Sequence, residues 1–430
     1  MPRTTSRRQF LKGSASLAIA AWLGPRFSLA RGRAPSERLR IGCVGVANRA
    51  RANIDGVRGE DIVALTDIDD SYLQAAAREF PDAELYHDFR KMMERRDIDA
   101  VVVSAPDHIH APASVLAMKT GKHVYCEKPL SHSVYEARVM ARVAAKEERA
   151  TQMGIQIHNT GRNYRNVVEV IQTGAIGEVR EAHCWVGKAW GGGERPAEVV
   201  PVPEHIHFDL WLGPAPERPY HPTYLPANWR RWWDFGSGTL GDMGCHYMDL
   251  PFWALSLRHP ATVEAKGPPV HPETAPEWLE VHWRFPSRAG SKPVDLYWYD
   301  GGRRPPQFAE GKLPPWGDGV LFVGEEGMLL ASYTDYRLLP EEKFRDYRPP
   351  APFIPDSPGH YEEWIRACRT GGKATCDFSY AGPLTETVLL GVVAYRSGKK
   401  LEWDPFELKA PNCPEAGRFL RRDYRPGWTL

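Results

Sequence analysis

Charge of one sign is what this 430-residue chain most plainly lacks: 55 Lys and Arg stand against 54 Asp and Glu, for a formal net charge of +1. Nothing in that balance draws the chain to nucleic acid or to an anionic membrane surface. Cysteine is scarce as well. Seven Cys is an odd number, and Cys43 and Cys126 fall inside apolar strand patterns, which excludes a disulfide framework as the main support of the fold. Cys368 and Cys376 form a candidate pair. Long apolar runs are missing too. The stretch from Ser16 to Leu23 is far short of the roughly 20 residues a spanning helix needs, so no membrane anchor is expected.

What is present begins with an address. Ser6-Arg7-Arg8-Gln9-Phe10-Leu11-Lys12 precedes that modest apolar run, and Ser28-Leu29-Ala30 supplies the small residues of a cleavage site. The paired arginines resemble a twin-arginine export signal, removed near Ala30, which predicts a periplasmic protein. No Cys lies near the cut to carry a lipid. Residues 1–35 are therefore read as leader, 36–157 as a nucleotide-binding domain, and 158–430 as a substrate-binding and oligomerisation domain.

The nucleotide domain is read from alternation. Leu39 to Gly45 is an apolar strand running into Val46-Ala47-Asn48-Arg49-Ala50 and a helix, and Asp67 closes the next apolar run 22 residues after Gly45. That is a Rossmann arrangement, with a tight turn for pyrophosphate and an acid for the ribose hydroxyls. The glycine fingerprint is degraded, because Ala47 and Ala50 stand where glycines are usual. Asp99 to Ser104 reads as a strand buried on both faces, opening into a loop from Ala105 to His110 and a helix from Ala111. His123 to Cys126 reads as another strand, with Glu127-Lys128-Pro129 at its carboxyl end. Strand and helix repeated this regularly predict an α/β fold with a doubly wound parallel sheet. His108 and His110, two apart on an extended segment, share a side. They serve as ribose contacts, as helix-start caps or, less favourably, as ligands to a metal whose set nothing nearby completes.

Beyond Gln156 the pattern changes to strands of period two, such as Leu279, Val281, Trp283 and Phe285 on one side. Strands without intervening helices predict a large, mostly antiparallel open sheet. The chain has 15 Trp, many of them between Trp185 and Trp233, which either fill a core or stack on sugar-like ligands. Loops rich in Pro and Trp, at 196–203 and 214–233, are long enough to be functional. Asp242 and His246, four apart after a glycine-rich entry, share one face of a helix. A carboxylate beside an imidazole holds the ring and raises its basicity, as acid–base work requires, although helix capping by Asp242 and a packed His246 explain the same pattern.

Ser104-Ala105-Pro106-Asp107-His108-Ile109-His110, the run from Gly121 to Leu130 containing Glu127-Lys128-Pro129, and Asp242-Met243-Gly244-Cys245-His246 together resemble the Gfo/Idh/MocA oxidoreductases. The resemblance implies Lys128 as catalytic lysine with Asp242 and His246 as its partners. It implies cofactor contacts from Gly45, Val46, Ala47, Asn48, Arg49, Asp67, Ser104, Pro106, His108, His110, Glu127, Lys128 and Gln156. Tyr164 and Arg165, with Trp232, Trp233 and His246, are expected to meet substrate. NAD is expected rather than NADP, because Asp67 repels a 2′-phosphate. The substrate would be a saccharide or polyol, no metal is expected, and the second sheet would build dimers or tetramers. Free NAD is scarce outside the cytoplasm, so the nucleotide would be loaded before export and regenerated internally. Net hydrolysis of a glycoside through transient oxidation is one route. A non-catalytic carbohydrate-binding protein and a metal-dependent hydrolase using His183, His205 and His207 are the alternatives.

Overall fold

The computed structural model describes residues 38–287 and 292–430; the paired arginines and the cleavage point near Ala30 lie outside the described residues. Six short apolar segments build the first sheet: β1 (Arg40–Val44), β2 (Asp61–Thr66), β3 (Glu84–Tyr86), β4 (Ala100–Val103), β5 (His123–Cys126) and β6 (Thr151–Met153). They lie parallel in the order β3-β2-β1-β4-β5-β6. Every residue of β4 is buried, as a strand covered on both faces demands. The order reverses between β1 and β4, which opens a crevice beyond the carboxyl ends of those strands.

Local chemistry starts the helices that cross between the strands. The Asp69 side chain accepts from the backbone N–H of Ser71 at 2.8 Å, and that of Asp88 from Arg90 N–H at 2.9 Å. Ser133 and Glu136 form a reciprocal capping box for Val134–Lys146. One start differs from expectation. The helix after β4 begins at Asp107, directly behind Pro106, and runs to Lys119. Residues 107–110 are therefore helical, and positions two apart on a helix point to different sides.

The second sheet joins β7 (Val179–Trp185), β8 (Thr262–Lys266), β9 (Glu280–Phe285), β10 (Val294–Tyr299), β11 (Gly319–Gly324), β12 (Met328–Ala331), β13 (Tyr336–Leu339) and β14 (Leu401–Glu402). Its order is β13-β12-β11-β7-β10-β9-β8-β14, with only β7 and β10 parallel. Val281, Trp283 and Phe285 of β9 face the core, and the Trp283 indole donates to the Thr387 carbonyl at 2.9 Å. Packing thus accounts for most of the tryptophans in the strands. All seven cysteines are buried and free. Cys368 and Cys376 do not pair, because Cys368 packs into the core under the first sheet and Cys376 into the larger core between the sheets.

The chain returns to its first half twice. Helix His360–Thr370 brings Trp364, Ile365 and Ala367 against Ile41, Val57 and Leu65. The tail then runs back over the crevice: Arg422 donates to Glu136 at 2.8 Å and to the His108 carbonyl at 2.6 Å. Arg425 donates to the Gly213 carbonyl at 2.6 Å, and Arg90 stacks 4.2 Å over Trp428.

Helices Val134–Lys146 and Phe378–Ser397 are fastened by Arg138, which meets both oxygens of the buried Glu386 at 2.6 and 2.7 Å. Removing one member of such a pair leaves a buried charge unmatched. Arg138→Leu should therefore destabilise the protein by on the order of 3 kcal/mol, read as a lowered urea midpoint. The double change with Glu386→Leu should recover most of the loss.

Candidate active site

The turn after β1 carries the first set of groups. Gly45 has φ of +84°, and a Cβ there would lie 2.6 Å from the Ser104 carbonyl oxygen, so only glycine fits. Asn48 also takes a positive φ, 54°. Asp67 ends β2 and accepts from the backbone N–H of Val46 at 2.9 Å and of Asp69 at 3.1 Å. Burial raises its pKa above the ordinary carboxylate value, against the pull of those bonds. It remains half-buried on the wall of a cavity of about 770 Å³ shared with Gly45, Ala47, Asn48 and Arg49.

Beyond β5, Glu127 and Lys128 each organise a network. Glu127 Oε1 accepts from Arg49 Nε, Asn53 Nδ2 and Gln156 Nε2, each at 3.0 Å. Burial opposes its ionisation, but Arg49 and Lys128 outweigh it and hold the pKa below the usual value. Gly154 leaves the room for this carboxylate, since a Cβ there would sit 2.7 Å from Oε1. Lys128 Nζ donates to Asp242 Oδ1 and to the Asp242 carbonyl, both at 2.8 Å. Asp242 accepts further from Arg230 Nε at 3.0 Å, Lys188 Nζ at 2.7 Å and the Trp190 indole at 2.7 Å. Burial would raise its pKa, yet Lys128, Arg230 and Lys188 bring it well below the ordinary range.

Helix Gly238–Ala254 places His246 one turn beyond Asp242 on the same cavity. The relation between them differs from expectation. Asp242 directs its oxygens at the cations and at Trp190, and no hydrogen bond joins it to His246. Burial and the charge of Lys128 lower the imidazole pKa to about 3, outweighing the opposite effect of Asp242. His246 is therefore neutral at neutral pH, and its basicity is reduced rather than raised.

Several expected contacts lie elsewhere. Because residues 107–110 are helical, His108 turns into the protein, its ring nitrogens at 3.3 Å from the Phe235 carbonyl and 2.8 Å from that of Trp211. His110 meets the Pro129 and Ala105 carbonyls, each at 2.7 Å. Both rings are buried supports of the crevice loops, not part of its wall. Tyr164 is buried with its hydroxyl 3.2 Å from the His246 carbonyl, and Arg165 binds the His158 and Pro355 carbonyls. Trp232 and Trp233 are core residues, while Trp211, Trp229 and Trp428 line the cavity. His183, on β7, hydrogen-bonds Tyr299 of β10. Among the described residues, no metal-sized cluster unites it with His205 and His207. Ser104, Pro106, Glu127, Lys128 and Gln156 do line the cavity; Val46 reaches it only through its bond to Asp67.

Polar groups on the wall that escaped the sequence pattern include Lys188, Arg230 and Asp107. Arg230 lay within a Pro- and Trp-rich loop already marked by its length, whereas nothing in spacing singles out Lys188. Asp107 stands inside the Ser104–His110 motif, only 3% exposed. Burial lifts its carboxyl to about 8 despite the opposing charges of Arg230 and Lys128.

Residues 39–155 match the family model described as the NAD-binding Rossmann fold of the GFO_IDH_MocA oxidoreductases, and residues 165–292 that of the family's C-terminal alpha/beta domain. The chain belongs to this oxidoreductase family, and its first sheet is the NAD-binding fold. It is similar to inositol 2-dehydrogenase 1 of Saccharopolyspora erythraea, 32% identical over 152 residues, 34% of this chain and 45% of that one. It is also similar to a glycosyl hydrolase family 109 protein of Solibacter usitatus, 30% identical over 196 residues, 41% of this chain and 44% of that one. The match thus spans less than half the length of these curated relatives. Among solved structures, the WlbA dehydrogenase of Bordetella pertussis with NADH and UDP-GlcNAcA superposes with a TM-score of 0.62 at 16% identity. It covers 86% of this chain and 99% of that one.

Asp107 gives a test of the site's electrostatics. Its folded pKa is raised from 3.8 to about 8, so folding takes up a proton between those values. The associated stability is complete at low pH and is lost as pH rises toward about 8. The melting temperature of Asp107→Asn relative to the parent should climb between about pH 4 and about pH 8 and then level off. A difference that stays flat across this range would contradict the buried-carboxyl assignment.

Proposed function

We propose that the protein is an NAD-dependent dehydrogenase acting on a carbinol carbon of a sugar or polyol. The observation that carries this reading is the state of Lys128. Two of the three N–H donors of its ammonium are committed to Asp242, leaving one for a ligand oxygen in the cavity. Gly45 and the following turn suit a pyrophosphate, and Asp67 suits the ribose hydroxyls of NAD. Ala47 stands in this turn where glycine is usual, and it lines the cavity. When bound, the nicotinamide supplies a hydride acceptor.

Lys128 hydrogen-bonds the reacting oxygen and stabilises the negative charge that grows on it as the hydroxyl proton leaves. Asp242, with Lys188 and Arg230, fixes the ammonium in place. The neutral imidazole of His246 accepts a hydrogen bond from the substrate hydroxyl, and Asp107, with its pKa near 8, is the wall group suited to exchange the proton near neutral pH. Trp211 and Trp229 offer apolar surface for a sugar ring. A second reading is net glycoside cleavage through transient oxidation. The similarity to the Solibacter usitatus protein named as a family 109 glycosyl hydrolase favours it.

Export is part of the proposal: the paired arginines near the N-terminus support a periplasmic location with nucleotide loaded before export, and the second sheet is the surface proposed for pairing subunits. Denaturing the purified protein should release about one dinucleotide per chain, identified by mass. Lys128→Ala should keep that nucleotide while losing at least about a hundredfold in turnover. Unchanged turnover in the variant, or a chain that neither carries nor binds dinucleotide, would remove the proposal. A lasting absorbance change with substrate marks net oxidation; leaving-group release without one marks hydrolysis.

A further inference from the structure

The charges around Asp242 do not balance. Lys128, Lys188 and Arg230 all bind its carboxylate, three cations against one anion, a surplus of two positive charges. The other ionisable groups near them on the cavity wall leave that surplus standing. His246 is neutral, and Asp107 is held as the neutral acid below about pH 8. Glu127 is matched by Arg49 at 3.0 Å. The remaining wall carboxylates, Asp67, Asp69 and Asp88, follow β2 or β3, at least three strands from β5 in the sheet order. One cation suffices to neutralise Asp242, and the Trp190 indole shows that an uncharged donor can fill one of its lone pairs. Lys188 and Arg230 bring charge that the carboxylate does not require.

Both cations also keep unspent donors. Arg230 gives Nε to Asp242 at 3.0 Å and one Nη1 hydrogen to the Ala227 carbonyl at 3.3 Å, while its Nη2 meets no acceptor among the described residues. Lys188 Nζ has one oxygen partner there, Asp242 Oδ2 at 2.7 Å. A guanidinium carries five N–H hydrogens and an ammonium three, so each has donors left for a ligand. Both side chains line the cavity and stay open to it, Arg230 23% and Lys188 41% exposed. Aromatic faces hold them in place. The Arg230 guanidinium lies 4.3 Å over Trp229, and Lys188 Nζ lies 5.1 Å over Trp190. A fixed guanidinium fork with a lysine beside it is the arrangement that binds carboxylate or phosphate oxygens.

We propose that the substrate is an anionic sugar, and that Lys188 and Arg230 bind its carboxylate or ester phosphate. This substrate class rests on the reading of the chain as a sugar dehydrogenase. Lys128 and Arg230 donate to the same oxygen, Asp242 Oδ1, so their free donors are separated by little more than two hydrogen bonds. The anionic group therefore belongs to the same sugar unit as the reacting carbinol, as in a uronic acid or a sugar phosphate. A neutral sugar leaves the surplus charge unmatched, and that difference supplies the discrimination.

The test titrates the full protein, carrying its nucleotide, by calorimetry with the uronates, the phosphates and the neutral parents of glucose, galactose and mannose. An acidic sugar should bind at least about tenfold more tightly than its neutral parent, and the advantage should shrink as sodium chloride is raised. Whether uronate or phosphate gains more distinguishes the two anions. Arg230→Gln and Lys188→Gln should each reduce the preference at least about fivefold, with bound nucleotide retained and the melting temperature within a few degrees of the parent. Four results would each overturn the inference: neutral sugars bound as tightly as their acidic forms, no acidic sugar bound, a preference unchanged in both variants, or nucleotide lost from Arg230→Gln, which would assign the cations to the cofactor. The dehydrogenase reading fails separately, through full turnover in Lys128→Ala or a chain that binds no dinucleotide.

Discussion

A carboxylate stripped of water and surrounded by cations governs the geometry of this protein's crevice. Asp242 is 4% exposed, and a charge so placed is tolerated only when its lone pairs are filled. The four donors that fill them come from three stretches of chain: Lys128 from the end of β5, Lys188 and Trp190 from the segment after β7, and Arg230 from the loop before helix Gly238–Ala254. None of these can shift alone without exposing the carboxylate to an unmatched cost. The crevice wall is therefore a cooperative unit, and the Lys128 ammonium owes its orientation to groups drawn from several segments of the chain.

Glu127 plays the parallel part on the other side of the lysine. It gathers Arg49, Asn53 and Gln156, linking the first helix of the nucleotide fold to the end of β6. Lys128 thus stands between two ionised carboxylates with separate cation partners. That separation lets the ammonium be held by one acid while its neighbour holds Arg49, Asn53 and Gln156.

The parallel sheet was legible because strands buried on both faces leave unbroken apolar runs, and because helical spacing alternates regularly with them. The period-two reading of β9 was legible for a similar reason. The site was legible where contacts follow from position along an element: Asp242 and His246 share a helix face, and Lys128 follows a strand. It was illegible where contacts depend on how a loop folds back. Lys188 reaches Asp242 across 54 residues and Arg230 across 12, and no local pattern records either contact. The histidines of the Ser104–His110 stretch misled because Pro106 permits a helix to begin one residue later, which turns His108 and His110 inward. Trp232 and Trp233 misled because the side-chain chemistry that suits a sugar face suits a core equally well.

The tail that crosses the crevice carries a consequence for biosynthesis. Arg422 and Arg425 clasp loops of the first half, and Trp428 forms part of the cavity wall beside Phe89. A ribosome making this chain has produced the whole dinucleotide fold long before Trp428 is polymerised. Until then that flank of the cavity wall is unbuilt. Translation order thus completes the dinucleotide fold first and adds the Arg422–Trp428 cover to it afterwards.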